Sequence, residues 1–299
     1  MRRGFLYLLP VIGAALGVLW SSCHHHDKTT QPEPAGLRIH EWGVLVGCIS
    51  DTSYFMTSRP EMVAVVREPV IYIHSSDKVP LTVQARFAAG TPTVTYPAAV
   101  IDDSTVTWPN IGFEASKNLT PLDTADHVPL DSIIEELNDV DADILSCNGH
   151  LTKFLFYEGM IPFENRVTLA FNQDSSQAVL TNVGSYPVYD VHVATTTGMS
   201  SPVTRLDPGL SDTAAVEEYW YSDHFTQQLT AYGFTQKEAE AFSALWAEPL
   251  LYPEAHLPEA NRVNLVYRLS QEEYDQLIEL TVTPTPKTIL RVLYILVHP

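Results

Sequence analysis

Along most of this chain, apolar and polar residues alternate in short runs separated by Pro, Gly, Asn and Asp. Leu81-Thr82-Val83-Gln84-Ala85-Arg86-Phe87 is the clearest run: strand side chains point alternately to opposite faces, so it would turn one apolar face inward. Runs at Leu37 to Val46, Pro69 to His74, Thr93 to Tyr96 and Thr105 to Trp108 predict further strands. So do Ile144 to Cys147, Lys153 to Tyr157, Val167 to Phe171 and Val203 to Leu206. Gln177 to Val193 reads as strand, Asn-Val-Gly-Ser turn, strand, with the local look of Ig-like surface modules. Ile289 to Val297 (ILRVLYILV) is nearly all apolar, which predicts a strand buried on both faces.

Helical periodicity appears in fewer places. Asp131 to Leu137 sets Ile133, Ile134 and Leu137 on one face behind an acidic first turn. From Ser211 the pattern changes: about Ala214 to Tyr232 and Gln236 to Ala247 are helix-prone and meet at Gly233, a helical hairpin. Thr235 with Glu238 fits a capping box, and Ala239, Phe242, Leu245 and Trp246 form a packing stripe. Arg262 to Leu269 then reads as a strand, and Ser270 with Glu273 as a second capping box. The expected fold is mainly β and sandwich-like with Ig-like elements and an inserted α-helical hairpin, α+β overall. Residues 37–210 would be the β-rich region, 211–250 the hairpin, and 251–299 the strands that complete the β body.

The N-terminus carries different information. Arg2 and Arg3 precede an apolar run from Phe5 to Trp20, followed by Ser21-Ser22-Cys23, which is the layout of a secretory signal over residues 1–22. The run contains Pro10, Gly13 and Gly17 and falls short of the ~20 apolar residues that a spanning helix needs. Leu19-Trp20-Ser21-Ser22-Cys23 resembles the lipobox of bacterial lipoproteins, which implies that Cys23 is acylated and becomes the new N-terminus. Leu19 stands four residues before the cysteine instead of three, so ordinary signal-peptide cleavage and an uncleaved anchor stay open. His24 to Gly36 (HHHDKTTQPEPAG) offers nothing to bury and reads as a flexible tether. No aspartate follows Cys23, which favours the outer over the inner membrane.

Charge narrows the partners. Losing residues 1–22 removes two arginines and no acids, so the formal charge goes from −19 to −21. Such a body repels phosphate, so nucleic acid is excluded as a partner and membrane attachment falls to the anchor. An envelope polymer or a protein partner remains. In an oxidising compartment Cys48 and Cys147 form an even pair, and a disulfide closing about 100 residues would contribute on the order of 4 kcal/mol. Two unpaired buried thiols are the alternative.

Leu37-Arg38-Ile39-His40-Glu41-Trp42-Gly43, then Arg67-Glu68-Pro69-Val70-Ile71-Tyr72, Lys153-Phe154-Leu155-Phe156-Tyr157-Glu158-Gly159, and the stretch from Leu280 to Val297 occur in order along the chain. Together they resemble a family of exported bacterial proteins that open with a His-Glu-Trp-Gly-Thr motif. Val44-Leu45 replaces the Thr-Phe that follows in that family, and Glu158 stands where a basic residue is expected. The resemblance implies export and one architecture from Leu37 onward, and it supplies no reaction.

The catalytic candidates are His40, Glu41, Glu68, Lys153 and Tyr157. On a strand His40 and Trp42 share a face and Glu41 takes the other, which argues against His40 and Glu41 gripping one metal. Asp139, Asp141 and Asp143 have the alternate spacing of a calcium loop's first ligands, but Ile144 and His150 occupy its glycine and glutamate positions. No Gly-x-Ser-x-Gly or glycine-rich phosphate cradle occurs. No cofactor is predicted, with a divalent metal left open. The expected function is a non-catalytic binding or structural module of the cell envelope. The alternative is a metal-assisted hydrolase of an envelope polymer, built from some of His40, Glu41, Glu68 and His150.

Overall fold

The computed structural model describes residues 36–48, 61–115, 118–121, 133–218, 223–253 and 262–298. The signal segment, Cys23 and the tether up to residue 35 lie outside the described residues. Among those described, no helix is long and apolar enough to cross a membrane.

In chain order the strands are β1 (Leu37–Cys48), β2 (Glu61–Ser75), β3 (Leu81–Phe87), β4 (Thr91–Tyr96), β5 (Val100–Asp102), β6 (Thr105–Glu114), β7 (Ile144–Cys147), β8 (His150–Thr152) and β9 (Phe154–Glu164). They continue with β10 (Val167–Phe171), β11 (Gln177–Asn182), β12 (Val188–Thr195), β13 (Met199–Ser200), β14 (Val203–Leu206), β15 (Ser211–Glu217), β16 (Val263–Leu269), β17 (Ile278–Thr283) and β18 (Thr288–His298). The described helices are α1 (Ile134–Asn138), α2 (His224–Tyr232), α3 (Gln236–Leu251) and α4 (Gln271–Leu277).

Among the described residues, twelve strands form one sheet in the order β10-β11-β15-β13-β12-β16-β18-β1-β2-β9-β4, with β14 paired to β12. Six form a second sheet, β17-β3-β6-β7-β8, with β5 on β6. One face of the large sheet shares a core with the small sheet, where Ile39, Leu45, Ile71 and Leu155 meet Val83, Phe87 and Trp108. Its other face packs under the helices, with Trp42, Val70, Phe156 and Tyr294 against Phe225, Phe242 and Leu250. The chain is therefore β-rich with two sheets and a helical layer. As the apolar run predicts, β18 lies inside the large sheet, parallel to β1 and antiparallel to β16, and Arg291 to Val297 are all buried.

One irregularity orients the whole layer. Between Val66 and Val70, β2 holds one residue more than β9 and than β1 opposite it, and the extra backbone is taken up at Glu68, with φ +49°, and Pro69. This bulge reverses which face successive β2 residues present. Ala64 and Val66 point to the small sheet while Val70 and Tyr72 point to the helices. Gly43 of the opening motif fits this site, because a Cβ there would sit 3.1 Å from the Pro69 Cα.

Four expectations need correction. Ser211–Glu217 is strand β15, although its alanines favour helix. It is hydrogen-bonded to both β11 and β13, and two ladders outweigh a preference of tenths of a kcal/mol per residue. The helical hairpin therefore begins at His224. Helix α3 runs past Ala247 through Pro249, and Asn264 Nδ2 donates to the carbonyls of Pro249 (2.9 Å) and Leu250 (3.1 Å) at its end. The two strands predicted around the Asn-Val-Gly-Ser turn exist but do not pair: β11 joins β10 and β15, and β12 joins β16.

The disulfide is the fourth. Cys147 is a free, buried thiol, which burial lifts to about 11. Its cross-strand neighbour His150 packs on Tyr96, which the ladder Tyr96, Phe156, Val70 places level with Trp42 on β1. Cys48 lies six residues farther along β1, roughly 20 Å away, whereas a bridge needs Cα atoms within about 7 Å.

Candidate functional site

Alternation along β1 sends the opening motif into two separate buried clusters. His40 and Trp42 face the helices, and Trp42 lies edge-on to Phe242 at 5.3 Å. Glu41 faces the small sheet.

On the helical side, His40 Nδ1 lies 2.8 Å from Glu238 Oε2, and His74 Nε2 lies 2.8 Å from Glu238 Oε1. The pairing of Arg38 with His74 and of His40 with Tyr72 makes the two histidines diagonal neighbours on one face, their ring centroids 4.7 Å apart. Glu238 arrives from the first turn of α3. The predicted capping box forms there, with Thr235 N donating to Glu238 Oε2 (2.8 Å) and Glu238 N donating to Thr235 Oγ1 (3.2 Å). The three residues are 3 %, 2 % and 0 % exposed. Burial works to raise the Glu238 carboxyl, but the hydrogen bonds from His40 and His74 overcome it and hold it at about 2. An ionised carboxylate only accepts, so both facing ring nitrogens carry hydrogens in this arrangement.

On the other side, Glu41 is fully buried and accepts from Tyr157 OH at 2.6 Å and from Arg291 Nε. Arg291 NH1 also donates to Asp275 (2.5 Å) and to the Ile278 carbonyl (2.7 Å), and the guanidinium stacks on the Tyr274 ring at 3.9 Å. Burial pushes the Tyr157 hydroxyl well up, and the Glu41 charge adds to the rise, so the phenol donates and is not a base at neutral pH. This ion pair joins β1, β18, β9 and α4.

A third buried polar group, on the helical side again, centres on Asp190 at a bulge of β12 with φ +52°. Its carboxylate accepts from Arg268 Nε (3.0 Å) and from the Tyr232 hydroxyl, and Arg268 lies over the Tyr232 ring at 4.0 Å. His192, fully buried, places Nδ1 2.9 Å from the Asp190 carbonyl and its ring 5.6 Å from His224. Burial first, then His224, depresses His192 to about 3.

The remaining candidates sit apart from one another. Glu68, at the bulge, is raised to about 7 by burial and then by Glu158. Its neutral form therefore stabilises the fold below the unfolded value near 4.5, and that contribution is lost as pH rises through about 7. Glu68→Gln cannot ionise. Relative to the parent it should gain on the order of 1–2 kcal/mol between pH 5 and pH 8, discounted for partial exposure. Urea unfolding at the two pH values measures this, and parallel pH dependence would refute the assignment.

Lys153 hooks the Val140 carbonyl (2.6 Å), and its backbone N donates to Asn138 Oδ1, so it anchors the end of α1. His150 lies on the small sheet. Asp139 binds Lys237 (2.6 Å), Asp143 accepts from Ser75 N (2.7 Å) and from Lys78, and Asp141 is exposed, so the calcium-like spacing does not converge on a site. His40, Glu41, Glu68 and His150 are not brought together. Among the described residues, the one group of three or more metal-type side chains is His40, His74 and Glu238, with ligand atoms within 4.8 Å of one another. His74 and Glu238 were not among the sequence candidates.

No family model and no curated protein matches the chain. Among solved structures it is similar to the yeast delta-COP-I mu-homology domain complexed with a Dsl1 WxWxV peptide, at 8 % identity and a TM-score of 0.36, covering 89 % of this chain and 98 % of that one. The same yeast domain without the peptide gives 9 % identity and 0.35, covering 89 % and 97 %. Likeness at this level carries no function across.

Proposed function

We propose that the protein is an exported envelope lipoprotein, anchored through Cys23 with a mild preference for the outer membrane, whose body is a non-catalytic binding or structural module with Ig-like sandwich character. One observation carries the non-catalytic part: both polar residues of the opening motif are sealed inside and consumed by internal partners, His40 by Glu238 and Glu41 by Arg291, with side chains no more than 4 % exposed. A hydrolase acting on a polymer needs its acid, base or metal-bound water within reach of a bulky substrate.

Two measurements test the reading. Growth with an alkynyl fatty acid should label the chain and hold it in the membrane fraction, and Cys23→Ala should lose both. An unlabelled, soluble parent would remove the anchor. Incubation of the purified chain with isolated envelope polymer should release no soluble fragments. Release that disappears in His40→Gln or Glu41→Gln would replace the module with the hydrolase.

A further inference from the structure

We infer that His40, His74 and Glu238 form a closed structural site for a divalent transition ion of the zinc class. The donor set is two imidazole nitrogens and one carboxylate, which suits zinc over the hard, oxygen-seeking cations. Glu238 is oriented as a chelate, because Oε1 faces one histidine and Oε2 the other, each at 2.8 Å. An ion between them would meet two nitrogens and both oxygens, four donor atoms without a water, as a closed structural site requires.

Tetrahedral bonds of about 2.0 to 2.2 Å place neighbouring ligand atoms roughly 3.3 to 3.6 Å apart, so the ligand atoms, now within 4.8 Å of one another, have to shift by roughly half an ångström or more to admit an ion. With an ion bound, each ring would take the opposite tautomer, turning a lone pair where it now directs a hydrogen. The supports are rigid: adjacent strands of one ladder carry the histidines, and the capping box donates Thr235 N–H to Oε2, a partner that orients the carboxylate from outside the ligand set. Phe234, edge-on to His40 at 5.5 Å, supplies an apolar wall. Such an ion would tie α3 to β1 and β2. The inference goes beyond the proposed function, since without an ion the hydrogen-bonded link remains and the envelope reading is unaffected.

Elemental analysis of the mature chain decides it, with His24, His25 and His26 changed to serine so that the tether holds no metal, and with no chelator in purification. One zinc-class ion per chain is expected, and cobalt substitution should give the intense visible absorption of a four-coordinate centre. His74→Gln and Glu238→Gln should each lower occupancy about tenfold or more. These variants are destabilised in either case, so the parent supplies an independent reading. After chelation, added zinc should raise its unfolding midpoint, as any ligand of the folded state does. An unchanged midpoint with no bound ion in excess zinc would overturn the site and leave a hydrogen-bonded clasp.

Discussion

Arg291→Met should destabilise the protein by about 3–5 kcal/mol, the cost of leaving a buried carboxylate without its counter-charge. Glu41 is 0 % exposed and would be left with the neutral hydroxyls of Tyr157 and Tyr274 in place of its counter-charge. Methionine fills much of the arginine stem's volume on Tyr274, so the loss reports charge more than packing. The double variant Glu41→Gln with Arg291→Met should recover a large share of this, because the stranded charge is gone. A urea-unfolding cycle on the four proteins measures the coupling, expected at 1 kcal/mol or more. Additive losses would mean that the two residues act separately and that the ion pair does not link the layers.

His192 should contribute strongly to the acid limb of stability, beside His224, which burial also depresses, and Glu238. The folded value of His192 near 3 lies below the ordinary 6.5, so the stabilisation from its neutral form is complete above 6.5 and is lost as pH falls toward 3. One proton taken up only on unfolding changes stability by about 1.4 kcal/mol per pH unit, or about 3 kcal/mol between pH 6 and pH 4. His192→Phe keeps a ring against Phe225, 6.0 Å away, and cannot protonate. It should lose some stability at pH 7 with the bond to the Asp190 carbonyl, yet fall less steeply below pH 6. Curves that stay parallel from pH 7 to pH 4 would assign the acid sensitivity elsewhere.

Much of the strand pattern was legible because one face of each strand is buried and alternation records it, as in Leu81 to Phe87. Ser211 to Glu217 was misread because local alanine preference carries no information about the two strands that flank it. The site was half legible. His40 and Glu41 stood out by their motif, and the opposite-face placement follows from alternation alone. Glu238 had a signal that capping obscured: it lies four residues before Phe242, in line with the buried stripe, so its carboxylate had to enter the core. Arg291 likewise interrupts an apolar run and so demanded a buried partner, but nothing local names a glutamate 250 residues away. His74 gave no sign, because its role depends on a diagonal neighbour across a ladder and on a helix from much later in the chain.

The parallel pairing of β1 with β18 has a consequence in time. The first strand of the body pairs along one side with the last, so an emerging chain that lacks its final dozen residues has a gap at the centre of its main sheet and Glu41 without Arg291. Contacts of such long sequence separation form slowly and late. Under the proposed export, this ordering would delay stable folding until the C-terminal strand has been made, keeping the chain threadable through a translocation pore. Deleting β18 would then be a lesion in the timing of folding as much as in its stability.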